Sequence, residues 1–201
     1  MTCPFIVGLG GTMTSMSSSE RVLRHVLGAC EEAGAETQLF DGNALDLPMY
    51  GYGTPRTAKA QALIDGLRRA DGIIIASPGY HGTVSGLIKN ALDYAEDMAK
   101  DERPYFEGRA IGLIAVAAGW QATGTTLATL RSISHALRGW PTPMAVTVNS
   151  VQPVFGDDGA VTDKALDRQL KILAGQVVDF ACMKALHDLS RAAAASTAGE
   201  A

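Results

Sequence analysis

Long apolar runs, paired cysteines and strong net charge are all missing from this 201-residue chain. The first apolar run, Phe5 to Gly10, falls far short of the about 20 residues a membrane-spanning helix needs. The start also lacks a charged region followed by a signal core and cleavage site, so neither export nor membrane insertion is expected. Three cysteines, Cys3, Cys30 and Cys182, are scattered, with no spacing that suits a zinc site or a disulfide framework. A reduced, cytoplasmic setting is the expectation. Only 19% of residues are charged and the net charge is −4, which leaves no electrostatic footprint for nucleic acid. A His-x-x-x-His pair and a nucleophile elbow are absent as well, so no metal site and no catalytic triad are expected.

What the chain does have is core: 47% of its residues are apolar, enough for one domain, read as residues 1–190. Strand-like runs recur at Phe5 to Gly10, Glu36 to Phe40, Gly72 to Ser77, Ala110 to Ala118 and Met144 to Asn149. Helix-period segments fill the gaps, among them Val22, Leu23, Val26, Leu27 and Cys30, then Leu87, Ile88, Ala91, Leu92 and Ala95. This alternation predicts an α/β fold, a doubly wound five-stranded parallel sheet with helices on both faces. A last helix is expected from about Asp163 to about Leu189, and residues 191–201, rich in alanine, read as a disordered tail. The long connections Asp41 to Thr57 and Lys100 to Gly108 carry aromatics that suit either function or the covering of a core edge or subunit contact.

Three loops at the carboxyl ends of the strands carry the chemistry. After the first strand, Gly8-Leu9-Gly10-Gly11 leads into Thr12, Thr14, Ser15, Ser17, Ser18 and Ser19 before a helix. Glycines let the backbone approach a ligand, and a helix amino terminus with neutral hydroxyl donors holds a phosphate monoester without Lys or Arg. Ser17 and Glu20 also fit a capping box, and both roles are compatible. A dinucleotide fingerprint starting at Gly8 would need glycine at Met13, and no Gly-Lys-Ser/Thr follows. The pattern therefore fits flavodoxin-like topology, with a mononucleotide between strands one and three.

In the second loop, Pro78, Gly79, Tyr80, His81 and Gly82 suit a flat ring, Tyr80 and His81 by stacking or edge contact and the glycines by main-chain access. In the third, Gly119, Trp120, Gln121, Thr123 and Gly124 precede a helix expected to start near Thr125, whose N–H groups would face negative charge on a reduced ring. Trp120 suits a ligand contact or a core anchor equally, and His81 suits a turn as well as a ligand. Arg56, Lys59, Arg131 and Arg138 are candidates for a nucleotide 2′-phosphate, though surface charge explains them as well.

Pro78-Gly79-Tyr80-His81-Gly82-Thr83, followed by Leu87-Ile88-Lys89-Asn90-Ala91-Leu92-Asp93, resembles the Pro-Glu-Tyr-Asn-Gly-Ser segment and Lys-Asn-Ala-x-Asp helix of the NADPH-dependent FMN reductase family. Tyr80, Gly82, Lys89, Asn90 and Asp93 match, while Gly79 and His81 replace Glu and Asn. Thr12 and Ser17 fit that family's Gly-Ser-x-Arg-x-x-Ser loop, and Thr14 stands where Arg is common. The resemblance implies FMN as cofactor and NADPH or NADH as hydride donor, with transfer to the flavin N5 and no catalytic side chain, since the flavin carries the chemistry. It further implies a homodimer or homotetramer, and a flavin-dependent monooxygenase, oxygen or a quinone as recipient of the electrons. Two alternatives share the scaffold: a flavodoxin-type FMN electron carrier, and a quinone or azo reductase.

Overall fold

The apolar runs assemble into one mostly parallel sheet, in a computed structural model that describes residues 3–198.

 23 strand residue pairs in register are parallel, and two, in a hairpin, are antiparallel. The apolar runs become β1 (Phe5–Gly10), β2 (Glu36–Phe40), β3 (Gly72–Tyr80), β5 (Ala110–Ala117) and β7 (Val146–Asn149), with the short β4 (Thr83–Val84) and β6 (Trp140–Pro141) added. The sheet thus has seven strands rather than the five expected, in the order β2-β1-β3-β5-β6, with β4 on β3 and β7 on β5.

Both extra strands have local causes. β3 runs past Ser77 to Tyr80, because Pro78 still pairs in register with Val116 and the chain then folds back through His81 and Gly82 into β4. The expected second loop is therefore the tip of a hairpin. At the sheet edge, Pro141 and Pro143 lack N–H donors, so the ladder on β5 breaks between β6 and β7. The Met144 N–H goes instead to Gln176 Oε1 at 2.8 Å, and β7 begins at Val146 rather than Met144.

The helices are α1 (Ser18–Glu32), α2 (Ala58–Arg69), α3 (Gly86–Asp93), α4 (Trp120–Ala136) and α5 (Lys164–Ala198). Alternate side chains of β3 enter separate buried clusters. Ile73 and Ile75 pack with Leu63, Leu67, Ile88 and Leu130 of α2, α3 and α4, whereas Ile74 and Ala76 pack with Leu23, Val26, Leu170 and Leu173 of α1 and α5. Each buried leucine, isoleucine or valine among them stabilises the fold by about 1.5–3 kcal/mol. Asp163 Oδ1 accepts the Leu166 N–H at 2.7 Å and so caps α5. That helix runs on to Ala198, not Leu189, since alanine propagates an existing helix without needing burial, and residues 191–195 are exposed. Residues 199–201 of the expected tail lie outside the described residues.

The two long connections are tied down by polar contacts. Asn90, from the Lys-Asn-Ala-x-Asp helix, accepts the Tyr50 N–H at 2.8 Å and donates to Leu47 O and Pro48 O, which fixes the 41–57 segment to α3. Lys89 and Asp93 pair with each other at 2.5 Å on the surface. Buried Arg109 donates to Arg68 O and Ala70 O at the end of α2 and to Tyr105 O of the 100–108 connection, each at 2.9 Å, tying the two together. Burial lowers its guanidinium to about 9, still protonated at neutral pH.

Candidate functional site

β1 ends at Gly10, and Gly11, at φ +103°, turns the chain out of the sheet. Here the glycine of another connection matters more: a Cβ on Gly42 would lie 1.8 Å from Thr12 O, so the segment leaving β2 presses backbone to backbone on this turn. Thr12 Oγ1 accepts the Thr14 N–H and donates to Thr14 O, both at 3.1 Å, closing the turn on itself. Ser17 caps α1, accepting the Glu20 N–H at 3.4 Å, and Ser17 Oγ lies 3.3 Å from Ser19 Oγ. The capping box is present in shifted form. The Glu20 carboxylate, 3% exposed, takes the N–H of Met16 at 2.9 Å, one residue before the cap, and Arg24 Nε at 2.8 Å. Met16 is held at φ +54°, with its carbonyl accepting from Arg21 Nε at 2.8 Å.

This turn faces the hairpin of β3 and β4 across a cleft of about 410 Å³. Of the residues singled out in the sequence, Thr12, Thr14, Ser17, Ser18, Ser19, Pro78, Gly79 and Tyr80 line it together. A neighbouring hollow of about 270 Å³ shares Thr12, Thr14 and Tyr80 and adds Met13, Ser85 and Leu87. Neither is lined by a charged side chain. Gly79 is needed where it stands, since a Cβ there would meet Thr126 Oγ1 at 2.6 Å and Ala117 Cβ at 3.1 Å.

His81 and Gly82 do not line the cleft; at φ +51° and +85° they form the hairpin turn. Gly119, Trp120, Gln121, Thr123 and Gly124 do not line it either. Gly119, at φ +143°, caps α4, which starts at Trp120 instead of near Thr125, and the rest of this group lies within its first turns. Thr123 is buried, its Oγ1 donating to Trp120 O at 2.8 Å. The third wall comes from Val116, Ala117, Ala118 and Ser150, residues not among the sequence candidates. Ser150 follows the last strand, and its place at the carboxyl edge of the sheet was the available signal.

The cationic candidates are engaged elsewhere. Arg56 pairs with Asp97, Lys59 Nζ donates to Asn43 O, Arg131 donates to Thr142 O and Pro143 O, and Arg138 pairs with Glu107. Burial pushes the Cys30 thiol up to about 12, so it stays protonated and adds no nucleophile. The cleft that remains has hydroxyls and a helix amino terminus at one end and a tyrosine hairpin at the other. Its chemistry suits a phosphate monoester carrying a flat ring.

Fold and cleft define a flavodoxin-like α/β protein. A model of the NADPH-dependent FMN reductase family matches residues 4–152, and the chain belongs to that family. It is 29% identical over 113 residues to an FMN-dependent NADPH-azoreductase of Staphylococcus aureus, a stretch covering 55% of this chain and 56% of that protein. The chain thus spans about half the length of the curated relatives it matches. Among solved structures, it is similar to a flavoenzyme NAD(P)H:(acceptor) oxidoreductase of Paracoccus denitrificans, with TM-score 0.72, 21% identity and coverage of 90% of this chain and 98% of that one. A flavodoxin, WrbA-like protein of Agrobacterium tumefaciens matches with TM-score 0.61, 15% identity and coverage of 90% and 99%. Among the described residues no helix is long and apolar enough to cross a membrane.

Proposed function

We propose that the cleft binds FMN and that the protein is an NAD(P)H-dependent flavin reductase on a doubly wound scaffold. The observation that carries this reading is the uncharged cleft of about 410 Å³ between the hydroxyl turn and the Tyr80 hairpin, at the switch between β1 and β3. When bound there, FMN would supply the redox chemistry, accepting hydride at N5 from NADPH or NADH and passing electrons to an acceptor. Thr12, Thr14, Ser17, Ser18 and Ser19 would hold the phosphate, with the first N–H groups of α1 as further donors. Pro78, Gly79 and Tyr80 would position the ring, and the hairpin turn at His81 and Gly82 would keep Tyr80 in place. Orientation and exclusion of water are then the protein's whole task, with no side chain needed to move a proton.

The azoreductase relative favours azo compounds as acceptors; oxygen, a quinone or a partner monooxygenase are the other recipients of the electrons in this proposal. A cytoplasmic homodimer or homotetramer completes the proposal, with exposed Met49 and Tyr52 on the 41–57 segment as apolar surface for a subunit contact. The test is anaerobic mixing of protein, FMN and NADPH or NADH while following flavin bleaching. Rapid, saturable bleaching supports a reductase; tight FMN binding without bleaching leaves an electron carrier, and no FMN binding overturns the reading.

A further inference from the structure

Arg21, in the first turn of α1, ties the hydroxyl turn to a segment far along the chain. Its Nε donates to Met16 O at 2.8 Å, while the Met16 N–H goes to the Glu20 carboxylate at 2.9 Å. Both polar main-chain atoms of Met16 are therefore held by side chains of one helix. Met16 needs this, because at φ +54° it sits in the left-handed region, which a residue other than glycine keeps only where its surroundings impose it.

The same guanidinium lies over the Phe155 ring, with Cζ 5.5 Å from the centroid. It also lies against Gly159, where a Cβ would come 3.3 Å from Cζ and from Nε. Gly159 is at φ +82°, so conformation and contact both call for glycine there. Phe155 and Gly159 belong to one small antiparallel turn after β7. Phe155 bridges Val161, the Gly156 N–H donates to Ala160 O at 2.8 Å, and the Thr162 N–H donates to Val154 O at 3.0 Å. The segment leaves from the cleft residue Ser150 and ends at Asp163, which caps α5, so both of its ends are anchored.

Arg21 does not line either hollow of the cleft, so it reaches the site through Met16. A planar guanidinium can rest on a ring and a glycine while aiming Nε at one carbonyl, which the compact ammonium of lysine cannot do. We propose that Arg21 is a positioning residue for the flavin phosphate. The 154–162 turn clamps it through Phe155 and Gly159, and Arg21 in turn fixes Met16 and the hydroxyl side chains on either side, Thr14 and Ser17. The proposal rests on the FMN reading for what the turn holds, not for the clamp itself.

Amide hydrogen exchange on the flavin-free protein tests the clamp. In Arg21→Met and in Phe155→Leu, amides of residues 14–17 should exchange at least about fivefold faster than in the parent, with β5 protection unchanged as the check that both variants fold. Isothermal titration reads the link to the ligand. FMN should bind Arg21→Met at least about fivefold more weakly, whereas riboflavin, which lacks the phosphate, should keep its affinity for the parent to within about twofold. Adding Phe155→Leu to Arg21→Met should weaken FMN no further, since the ring acts through the guanidinium. Arg21→Lys should bind FMN as weakly as Arg21→Met. Full recovery by lysine would make the residue a simple charge and overturn the clamp, as would unchanged exchange at 14–17 or an equal loss of FMN and riboflavin. Faster exchange in the variants of a protein that takes up no FMN would leave the clamp standing and defeat the flavin reading alone.

Discussion

Glu20 is a carboxylate buried at the very helix end where a phosphate is proposed, an arrangement that would repel the ligand were the charge unbalanced. Arg24 balances it, at 2.7 Å from Oε1, and the other oxygen holds the left-handed Met16 by its N–H. Glu20 is thus a positioning residue for the turn. Glu20→Ala leaves the Met16 N–H without its acceptor and Arg24 with only the more distant Asp41 at 3.6 Å, a loss of about 1–3 kcal/mol, and should weaken FMN at least tenfold. Glu20→Gln keeps an acceptor for Met16 and removes the negative charge, so FMN should bind as tightly as to the parent or tighter; isothermal titration of both variants separates shape from charge. His81 illustrates a second residue-scale point. Asn-Gly is the preferred pair for a tight hairpin turn with two left-handed residues, and His81 and Gly82 occupy such a turn here. His81→Asn should recover part of the about 1–2 kcal/mol that a left-handed conformation costs, read as a raised thermal midpoint.

At the scale of elements, the 41–57 connection depends on α3 and on the 3-10 turn Tyr94–Met98 that follows it. Asp97 receives Arg56 Nε at 2.6 Å, a second Arg56 nitrogen at 2.8 Å and the Tyr50 hydroxyl at 3.1 Å. The Arg56 hydrogen bonds, more than the tyrosine, hold this carboxyl below its ordinary range despite opposing desolvation. Because its folded value is lowered, the stability it contributes is complete above the unfolded carboxylate value of about 4 and is lost as pH falls from there through the folded value. Asp97→Asn should flatten that acid limb in a plot of unfolding free energy against pH. The elements also show what the sequence could reveal. Apolar runs and periodicity located β1, β5 and most of α1 and α3, since these elements are buried along a whole face, whereas in β2 only Phe40 is buried. They missed the hairpin because Pro78 and Gly79 look like a loop, although Val116 pairs with Pro78 all the same. Likewise Gly124 suggested a pause ahead of a helix, whereas the turn was made earlier, at Gly119.

For the molecule as a whole, eight of the sixteen loop candidates converge on one cleft, because strand order brings the exits of β1 and β3 side by side. Of the rest, Ser15 lies in the first turn outside the cleft lining, and the other seven belong to the hairpin tip or to the cap and first turns of α4, whose exact start no local pattern encodes. Val116 went unnoticed since an apolar wall carries no chemical signature in a sequence, and Ser150 because a single serine after the last strand stands out only by its place at the carboxyl edge. The cleft's lack of charged walls has a consequence in solution. With no cation at the phosphate end to be screened, and Glu20 already neutralised by Arg24, FMN affinity should change less than twofold as ionic strength rises from about 0.01 to 1 M, while the Debye length shrinks from about 30 to 3 Å. Cofactor exchange in such a protein would be indifferent to the saltiness of its surroundings.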